Sequence, residues 1–176
     1  MTTSPLLIHG AGGHAKVVAD IARALGYRVV AFVEDPPTRD GQPYYGSIIV
    51  SWDRFVGDPD TWRGAQVALA VGDNAARQHA YERFVARGRA IVTLVHPTAV
   101  VSPTARLGTG TVVMPTAVVN ADATTGIGVI VNTGAVAEHD TILGDLRIFP
   151  RMPPWVEVHR LDVERIWAWG PSSCPV

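Results

Sequence analysis

The sequence of 176 residues has little of what would direct it to a membrane, a nucleic acid or an oxidising compartment. Its one cysteine, Cys174, can form no disulfide within the chain, which is typical of a reducing cytoplasm. Charged residues make up only 18% of the chain and the net charge is −1, so no basic stripe is available for nucleic acid. No apolar run approaches the ~20 residues of a membrane span, and the opening residues lack the basic segment of a signal peptide. With 47% hydrophobic residues, the composition predicts a folded cytoplasmic protein that binds neither nucleic acid nor membrane.

The first segment of the chain predicts a strand, a glycine turn, a helix and a second strand. Leu6–Ile8 is a short apolar run typical of a buried parallel strand, and a helix is predicted over residues 14–25, before a strand over 28–35. Gly10, Gly12 and Gly13 form the turn between the first strand and the helix. Such a turn presents backbone N–H groups and a helix dipole to an anion, commonly a phosphate. Asp35, about twenty residues later, also fits a dinucleotide-binding pattern, although a tight turn without a ligand explains the glycines as well.

A further strand over residues 67–72 brings polar residues to the same edge of the predicted sheet. Asn74 follows that strand, at the carboxyl end where open α/β sheets bind ligands. Arg77 lies in the first turns of a helix predicted over residues 75–87. Because a cation is unfavourable near the positive end of a helix dipole, Arg77 indicates an anionic ligand, with a solvated arginine as the alternative. A last strand of this unit is predicted over residues 90–96.

A period of six residues dominates the segment from 97 to 144. Every sixth residue from Val101 to Leu143 is aliphatic or small, and the residue two before each is small or β-branched. Such a repeat is not helical and is too regular for hairpins. It is the hexapeptide pattern of the left-handed parallel β-helix, a triangular prism with three hexads in each coil. The aliphatic residue points into the prism, and the glycine or asparagine after it is expected to take the left-handed backbone of the corners: Gly108, Asn120, Asn132 and Gly144.

Four segments of the chain resemble the hexapeptide-repeat sugar acetyltransferases of bacteria: GAGGHAKVV (10–18), GDNAARQHAYERF (72–84), HPTAVVSPTARLG (96–108) and VNTGAVAEHD (131–140). The nearest types are the sialic-acid O-acetyltransferases and the N-acetyltransferases of UDP-linked 4-amino-sugars. The resemblance implies a Rossmann-like domain over 1–96 that binds a UDP-sugar, followed by a truncated β-helix over 97–144 that forms a homotrimer. It also implies that acetyl-CoA binds between neighbouring β-helices, and that the glycine turn holds a sugar nucleotide rather than NAD.

Acyl transfer from a thioester needs two oriented substrates and a base for the proton of the acceptor. A neutral imidazole suits that role at cytoplasmic pH. The resemblance implies His139 as this general base, with Asp140 orienting its ring and Asn132 nearby. It also implies that His14 lies in the substrate pocket together with the glycine turn. The remaining histidines show no spacing of a metal site, so no metal is expected.

The segment from 145 to 176 loses the repeat. The positions two before the expected inward residues hold Arg147, Pro153, His159, Arg165 and Pro171, which do not fit a tight corner. Reading the possible codons in a neighbouring frame restores aliphatic residues at every sixth position, so we hypothesise that this tail is translated in a shifted frame. The alternative is a divergent cap. Sequencing the gene around codon 145 distinguishes the two, since a verified reading frame with no hexads in either neighbouring frame would contradict the hypothesis.

Three functions are compatible with these patterns. The first is an acetyl-CoA-dependent sugar N- or O-acyltransferase. We expect it to bind acetyl-CoA weakly and to transfer the acetyl group slowly or not at all, because the altered tail interrupts the coils. The second is a non-catalytic, oligomerising module that only binds a nucleotide sugar. The third is a dinucleotide oxidoreductase, which the first unit allows but the hexads do not favour.

Overall fold

A computed structural model describes residues 4–35 and 38–149; the predictions for residues 150–176 lie outside the described residues. The first unit is a five-stranded sheet in the order β3-β4-β2-β1-β5. Its strands are β1 (Pro5–His9), β2 (Arg28–Glu34), β3 (Pro43–Tyr44), β4 (Ser47–Ser51) and β5 (Gln66–Leu69). All neighbouring pairs are parallel except β3 and β4, which form an antiparallel hairpin at the edge. The Rossmann-like α/β domain expected from the βαβ pattern is confirmed.

Three helices accompany this sheet: α1 (Gly13–Ala24), α2 (Trp52–Gly57) and α3 (Asn74–Val85). Helix α1 forms because its apolar residues recur at helical spacing, and the face so made is buried: Ala15, Val18, Ala19, Ile21 and Ala22. Helix α3 begins where the Asp73 carboxylate accepts a hydrogen bond from the backbone N–H of Ala76 at 2.8 Å. The carboxyl ends of β1, β2 and β5 therefore meet at one edge of the sheet, beside the N-termini of α1 and α3.

The second unit is a prism of ten two-residue strands stacked in parallel at intervals of 18 residues. We call its sides the docked face (β6, β9, β12, β15), the valine face (β7, β10, β13) and the third face (β8, β11, β14). The strands are β6 (Leu94–Val95), β7 (Val100–Val101), β8 (Arg106–Leu107), β9 (Val112–Val113), β10 (Val118–Val119), β11 (Thr124–Thr125), β12 (Ile130–Val131), β13 (Val136–Ala137), β14 (Ile142–Leu143) and β15 (Ile148–Phe149). The second residue of each strand points into the prism, as the hexad pattern predicts. The left-handed β-helix is confirmed.

The corners of the prism correct one expectation. Left-handed backbone occurs at every sixth residue, with φ between 56° and 76°, at Gly110, Thr116, Asp122, Gly128, Gly134, Asp140 and Leu146. These are the third residues after each inward side chain, so the prediction that Gly108, Asn120, Asn132 and Gly144 take this conformation was wrong. Gly108 is needed for a different reason: a Cβ there would lie 2.2 Å from the Gly126 carbonyl oxygen of the next coil. Its missing side chain permits close stacking rather than an unusual φ.

The docked face joins the two units. Leu94, Val112 and Ile130 point out of the prism, yet each is at most 2% exposed. They belong to the same apolar cluster as Leu6 and Ile8 of β1 and the buried side of α1. Burying a full aliphatic side chain contributes about 1.5–3 kcal/mol, so this contact fixes the sheet domain against one side of the β-helix.

Both ends of the β-helix depart from the sequence prediction. The strand predicted over 90–96 is divided: Ile91 makes one bridge to β5, whereas Leu94 and Val95 pair with β9 of the prism. At the other end, β15 pairs with β12, and Phe149 is buried in the prism core at 1% exposure. Arg147, which we expected to interrupt the coil, is exposed. Parallel stacking therefore continues five residues beyond position 144 within the described residues.

Candidate active site

The glycine turn opens onto unobstructed space at the carboxyl edge of the sheet. Gly12 and Gly13 are exposed, and a Cβ on either would meet no described atom within 4 Å. Gly12 precedes helix α1 with extended backbone, φ −102° and ψ −176°. Gly10 differs, since its φ is +109° and a Cβ would lie 2.8 Å from the Ala70 carbonyl oxygen. Gly10 is thus required by the close approach of β1 to the loop after β5, whereas Gly12 and Gly13 leave room for a ligand at the helix N-terminus.

Three side chains that the sequence analysis did not select surround this turn. Arg39 donates to the Ala11 carbonyl oxygen at 2.9 Å, and the Tyr44 hydroxyl donates to the Gly12 carbonyl oxygen at 3.1 Å. The Lys16 ammonium lies 5.7 Å from the centroid of the Tyr44 ring and is exposed. Lys16 lies in the first turn of α1, where a cation is unfavourable unless an anion binds there. The argument from the helix dipole, which we applied to Arg77, therefore indicates Lys16 as the cation that faces an anionic ligand.

His14 lies half-buried in the first turn of α1, and its Nε2 atom is buried with no hydrogen-bond partner among the described residues. Burial and the charge of Arg77 lower the pKa of His14 below its usual range. The ring is therefore neutral at pH 7, and its Nε2 atom is a buried polar atom in the first turn of α1.

Asp35 and His9 lie at the ends of neighbouring strands on the same sheet edge. The Asp35 carboxylate accepts from the Arg83 guanidinium at 2.7 Å and remains about two-fifths exposed. His9 is 8% exposed, lies edge-on to the Phe84 ring, and has no described partner for Nδ1. Burial, with a smaller effect of Arg83, lowers the pKa of His9 to about 4.

The His9 environment predicts a loss of stability in mild acid. The unfolded chain binds a proton near pH 6.5 and the folded chain only near pH 4, so the contribution of neutral His9 is complete above 6.5 and is lost as pH falls to 4. The expected loss is about 3 kcal/mol in the free energy of unfolding. His9→Leu removes this titration. The free energy of unfolding, measured by urea denaturation at several pH values between 4 and 7, should therefore change less with pH in the variant than in the parent. The same pH dependence in both proteins would contradict the assignment.

Arg77 is not at a ligand-binding surface, which corrects the expectation that it contacts an anionic substrate. It is 0% exposed, and its guanidinium donates to backbone carbonyls and to the Asn74 side-chain oxygen. Asn74, also expected to bind substrate, is thereby held in place beside Arg77 at 2.8 Å. Burial lowers the pKa of Arg77 to about 10, so the group stays charged at neutral pH.

On the β-helix, His139 and Asp140 lie together in the corner between β13 and β14, where the valine face meets the third face. The His139 Nδ1 atom is 2.7 Å from the Asp140 carboxylate, and the two side chains are 58% and 75% exposed. Because a carboxylate only accepts, Nδ1 carries the proton in the neutral ring and Nε2 is the basic nitrogen. Asp140 has a φ of 59°, a conformation that aspartate adopts more readily than most residues. Glu138, the residue before His139, is held by the preceding coil, because the Asn120 side-chain amide of that coil donates to the Glu138 carboxylate at 2.9 Å.

Asn132 is not brought to His139 within one chain. It lies in the preceding corner, before β13, and its side-chain oxygen accepts from the Thr133 backbone at 3.1 Å. Asn132 and His139 thus mark the two opposite edges of the valine face, on the same coil.

A Rossmann-like domain followed by a left-handed β-helix is the architecture that the resemblance to hexapeptide-repeat acetyltransferases predicts. The PglD N-terminal domain family matches residues 5–84 of the chain. A UDP-N-acetylbacillosamine N-acetyltransferase of Bacillus subtilis (strain 168) is 35% identical over 111 residues, which are 60% of this chain and 49% of that protein. Together with two solved structures described next, which are 36% and 37% identical and are covered to 70% and 69% of their length, these matches show that the chain belongs to the PglD-like family of hexapeptide-repeat acetyltransferases.

Two solved structures extend the comparison across both domains. The acetyltransferase domain of PglB from Neisseria gonorrhoeae FA1090, in complex with acetyl coenzyme A, is 36% identical with a TM-score of 0.75. The match covers 84% of this chain and 70% of that one. A histidine-to-asparagine variant of perosamine N-acetyltransferase from Caulobacter crescentus, in complex with CoA and GDP-perosamine, is 37% identical with a TM-score of 0.77, over 84% of this chain and 69% of that one. The match to the Bacillus protein spans about half of that relative's length.

In the described part of the chain, no helix has the length and apolar character that crossing a bilayer needs.

Proposed function

We propose that this protein transfers the acetyl group of acetyl-CoA to the amino group of a nucleotide-linked amino sugar, with His139 as general base. The observation that carries this proposal is the contact of 2.7 Å between His139 Nδ1 and Asp140 in an exposed corner of the β-helix. Amine rather than hydroxyl acceptors are favoured because the similar Bacillus and Caulobacter proteins are named as N-acetyltransferases. We expect a UDP-sugar first, with GDP-sugars as the alternative that the Caulobacter complex suggests.

The chemistry follows from the protonation of the His139 ring. The amine nitrogen attacks the thioester carbonyl, a C–N bond forms, and the C–S bond breaks with CoA leaving as thiolate. His139 Nε2 accepts the proton that the nitrogen loses, and the Asp140 carboxylate stabilises the imidazolium that results. That proton then passes to the thiolate or to solvent. Because the thioester is already activated, orienting the two substrates supplies most of the remaining rate.

We propose that the nucleotide binds at the glycine turn of the first domain. Gly12 and Gly13 leave space beside the N-terminus of α1, and Lys16 supplies a cation for a phosphate group. His14, whose ring is neutral at pH 7, directly follows Gly13 in the turn and is the proposed contact for the sugar in this segment. Asp35 lies at the end of β2, on the same sheet edge, as a ribose-binding carboxylate.

Calorimetric titration with a UDP-amino-sugar, acetyl-CoA and NAD distinguishes the three functions that the sequence left open. We expect binding of the nucleotide sugar and of acetyl-CoA, with no heat from NAD. Nucleotide-sugar binding alone would favour the non-catalytic module, and NAD binding would favour the oxidoreductase.

We further propose that the protein is a homotrimer assembled through the valine face. The outward residues of this face are all valine, and Val100 is 63% exposed. Its three outward side chains, Val100, Val118 and Val136, carry no charge, and the face borders the His139 corner on one edge and the Asn132 corner on the other. A trimer assembled through this face would bring a neighbouring subunit to the edges at which Asn132 and His139 lie. Acetyl-CoA, present in the complex with the Neisseria domain, is the co-substrate expected between neighbouring β-helices.

Val118→Lys tests this assembly. Val118 is the middle outward residue of the valine face, so a lysine there would place a charge from each copy into an apolar contact. We expect the trimer to dissociate to monomers, measured by sedimentation velocity. Thr124→Lys, at the equivalent outward position of the third face, is the control and should stay trimeric. An unchanged mass for Val118→Lys would show that assembly uses another surface.

A further inference from the structure

Arg77 is completely buried between the two domains. It lies in the first turn of α3 with 0% exposure, and no carboxylate among the described residues forms an ion pair with it. A buried charge without a counter-ion is costly unless hydrogen bonds replace its hydration. The hydrogen bonds of the Arg77 guanidinium must therefore compensate for the hydration that the buried charge loses.

All five N–H groups of the Arg77 guanidinium donate to protein oxygens. Two acceptors belong to the β-helix, at 2.8 Å and 2.5 Å, and three belong to the first domain, at 2.8–2.9 Å. The β-helix acceptors are the carbonyl oxygens of Gly128 and Leu146; those of the first domain are the carbonyl oxygens of Val71 and Gly72 and the side-chain oxygen of Asn74. Because every donor is engaged, none is left for a substrate.

The acceptors occupy special positions in both domains. Gly128 and Leu146 are the left-handed corner residues of two successive coils, with φ values of 61° and 56°. On the other side, Val71 follows Ala70, whose carbonyl oxygen lies against Gly10 in the glycine turn. One side chain thus connects two coils of the β-helix to the loop that supports the nucleotide-binding turn.

We propose that Arg77 is a positioning residue for acetyl transfer: it fixes the first domain on the β-helix and so sets where the bound sugar amine lies relative to the reacting thioester. This inference rests on the proposed function. A planar group with five donors can span both domains, whereas lysine offers three donors from one atom and methionine offers none. Neither substitute can hold both sets of carbonyl oxygens at once.

The test compares Arg77→Lys and Arg77→Met with Phe84→Leu, each in the full chain. Phe84 is a fully buried residue of the same helix that packs in the core of the first domain, and its ring partners His9, Trp52 and Phe55 all lie in that domain. Its variant is therefore expected to lose stability without altering the contact between domains. Hydrogen–deuterium exchange reports on the segments 71–74 and 126–129. Calorimetry gives the affinity for a UDP-amino-sugar and for acetyl-CoA separately. Single-turnover transfer at saturating substrates, at a temperature where circular dichroism shows each variant folded, gives the rate.

For both Arg77 variants we expect faster exchange in the two segments, affinities within about threefold of the parent, and transfer slower by about 10- to 100-fold, because small misplacements of reacting groups cost this much. Phe84→Leu should transfer at the parent rate. Equal losses of rate in Arg77→Met and Phe84→Leu, a parent rate in Arg77→Lys, or a rate loss that appears wholly as weaker sugar binding would overturn the proposal. So would failure of both Arg77 variants to fold where Phe84→Leu folds, since Arg77 would then be a folding determinant.

A parent chain that binds no nucleotide sugar would instead contradict the proposed function. Unchanged hydrogen–deuterium exchange in the Arg77 variants would overturn the role of Arg77 alone.

Discussion

His139→Ala should lower the rate of acetyl transfer by a factor on the order of 10²–10⁴, the usual contribution of a positioned general base. The ring is exposed at the corner, so its removal leaves no cavity, and the stability of the coil should not change. The affinities for the nucleotide sugar and for acetyl-CoA should stay near those of the parent. The measurement is single-turnover transfer followed by mass spectrometry, with the two affinities from calorimetry.

Two further variants make this result specific to the proposed role. Asp140→Asn retains a residue that tolerates the left-handed backbone but removes the charge that supports the imidazolium, so we expect a smaller loss of rate. His79→Ala, an exposed histidine of α3, is the matched control and should transfer at the parent rate. If His139→Ala and His79→Ala transfer equally fast, His139 is not the base.

Gly12→Val should abolish nucleotide-sugar binding while leaving the protein folded. The backbone at Gly12 is extended and a Cβ meets no described atom, so valine is sterically allowed and projects into the space assigned to the phosphate. We expect affinity to fall by roughly a hundredfold or more, about 2.7 kcal/mol. The free energy of unfolding should change by less than about 1 kcal/mol, the cost of a poorer helix N-cap.

Two other glycines provide the comparison for this variant. Gly57→Val places the same side chain in open space at the end of α2 and should leave sugar binding intact. Gly10→Val should instead destabilise the fold by about 1–3 kcal/mol or more, since Gly10 has a φ of +109° and lies against the Ala70 carbonyl. Unchanged sugar affinity in Gly12→Val would remove the glycine turn from the binding site.

Both folds could be predicted because the apolar residues of each recur at a regular spacing. In α1 they recur at helical spacing, and in the β-helix one inward position recurs every six residues. The strand–glycine–helix pattern placed α1 within one residue of its observed bounds, and the hexads predicted which residues point into the prism. The corners were less predictable, because a glycine serves two purposes that look alike in sequence. Gly108 permits close stacking of coils, whereas Gly110, two residues later, provides the left-handed backbone.

The site was predictable where chemistry depends on neighbours in the chain, and not where it depends on contacts between domains. His139 and Asp140 are adjacent in sequence and touch in the structure. Arg77 was identified as unusual by its position in a helix, but its partners lie 51 and 69 residues further along the chain, so its role could not be derived from local pattern. Arg39 and Tyr44 reach the glycine turn from a loop and a hairpin that carry no periodic signal.

We expect this protein to acetylate the amino group of a nucleotide-linked amino sugar. The most direct measurement is the mass of a UDP-4-amino-sugar, and of a GDP-linked one in parallel, after incubation with acetyl-CoA and the chain. It is run on the sequence as given and on a version with the frame restored near codon 145. We predict an acetylated nucleotide sugar from both, more slowly from the given chain, and none from either when His139 is replaced by alanine. Unmodified sugar from both chains, or acetylation that persists without His139, would contradict the proposed function.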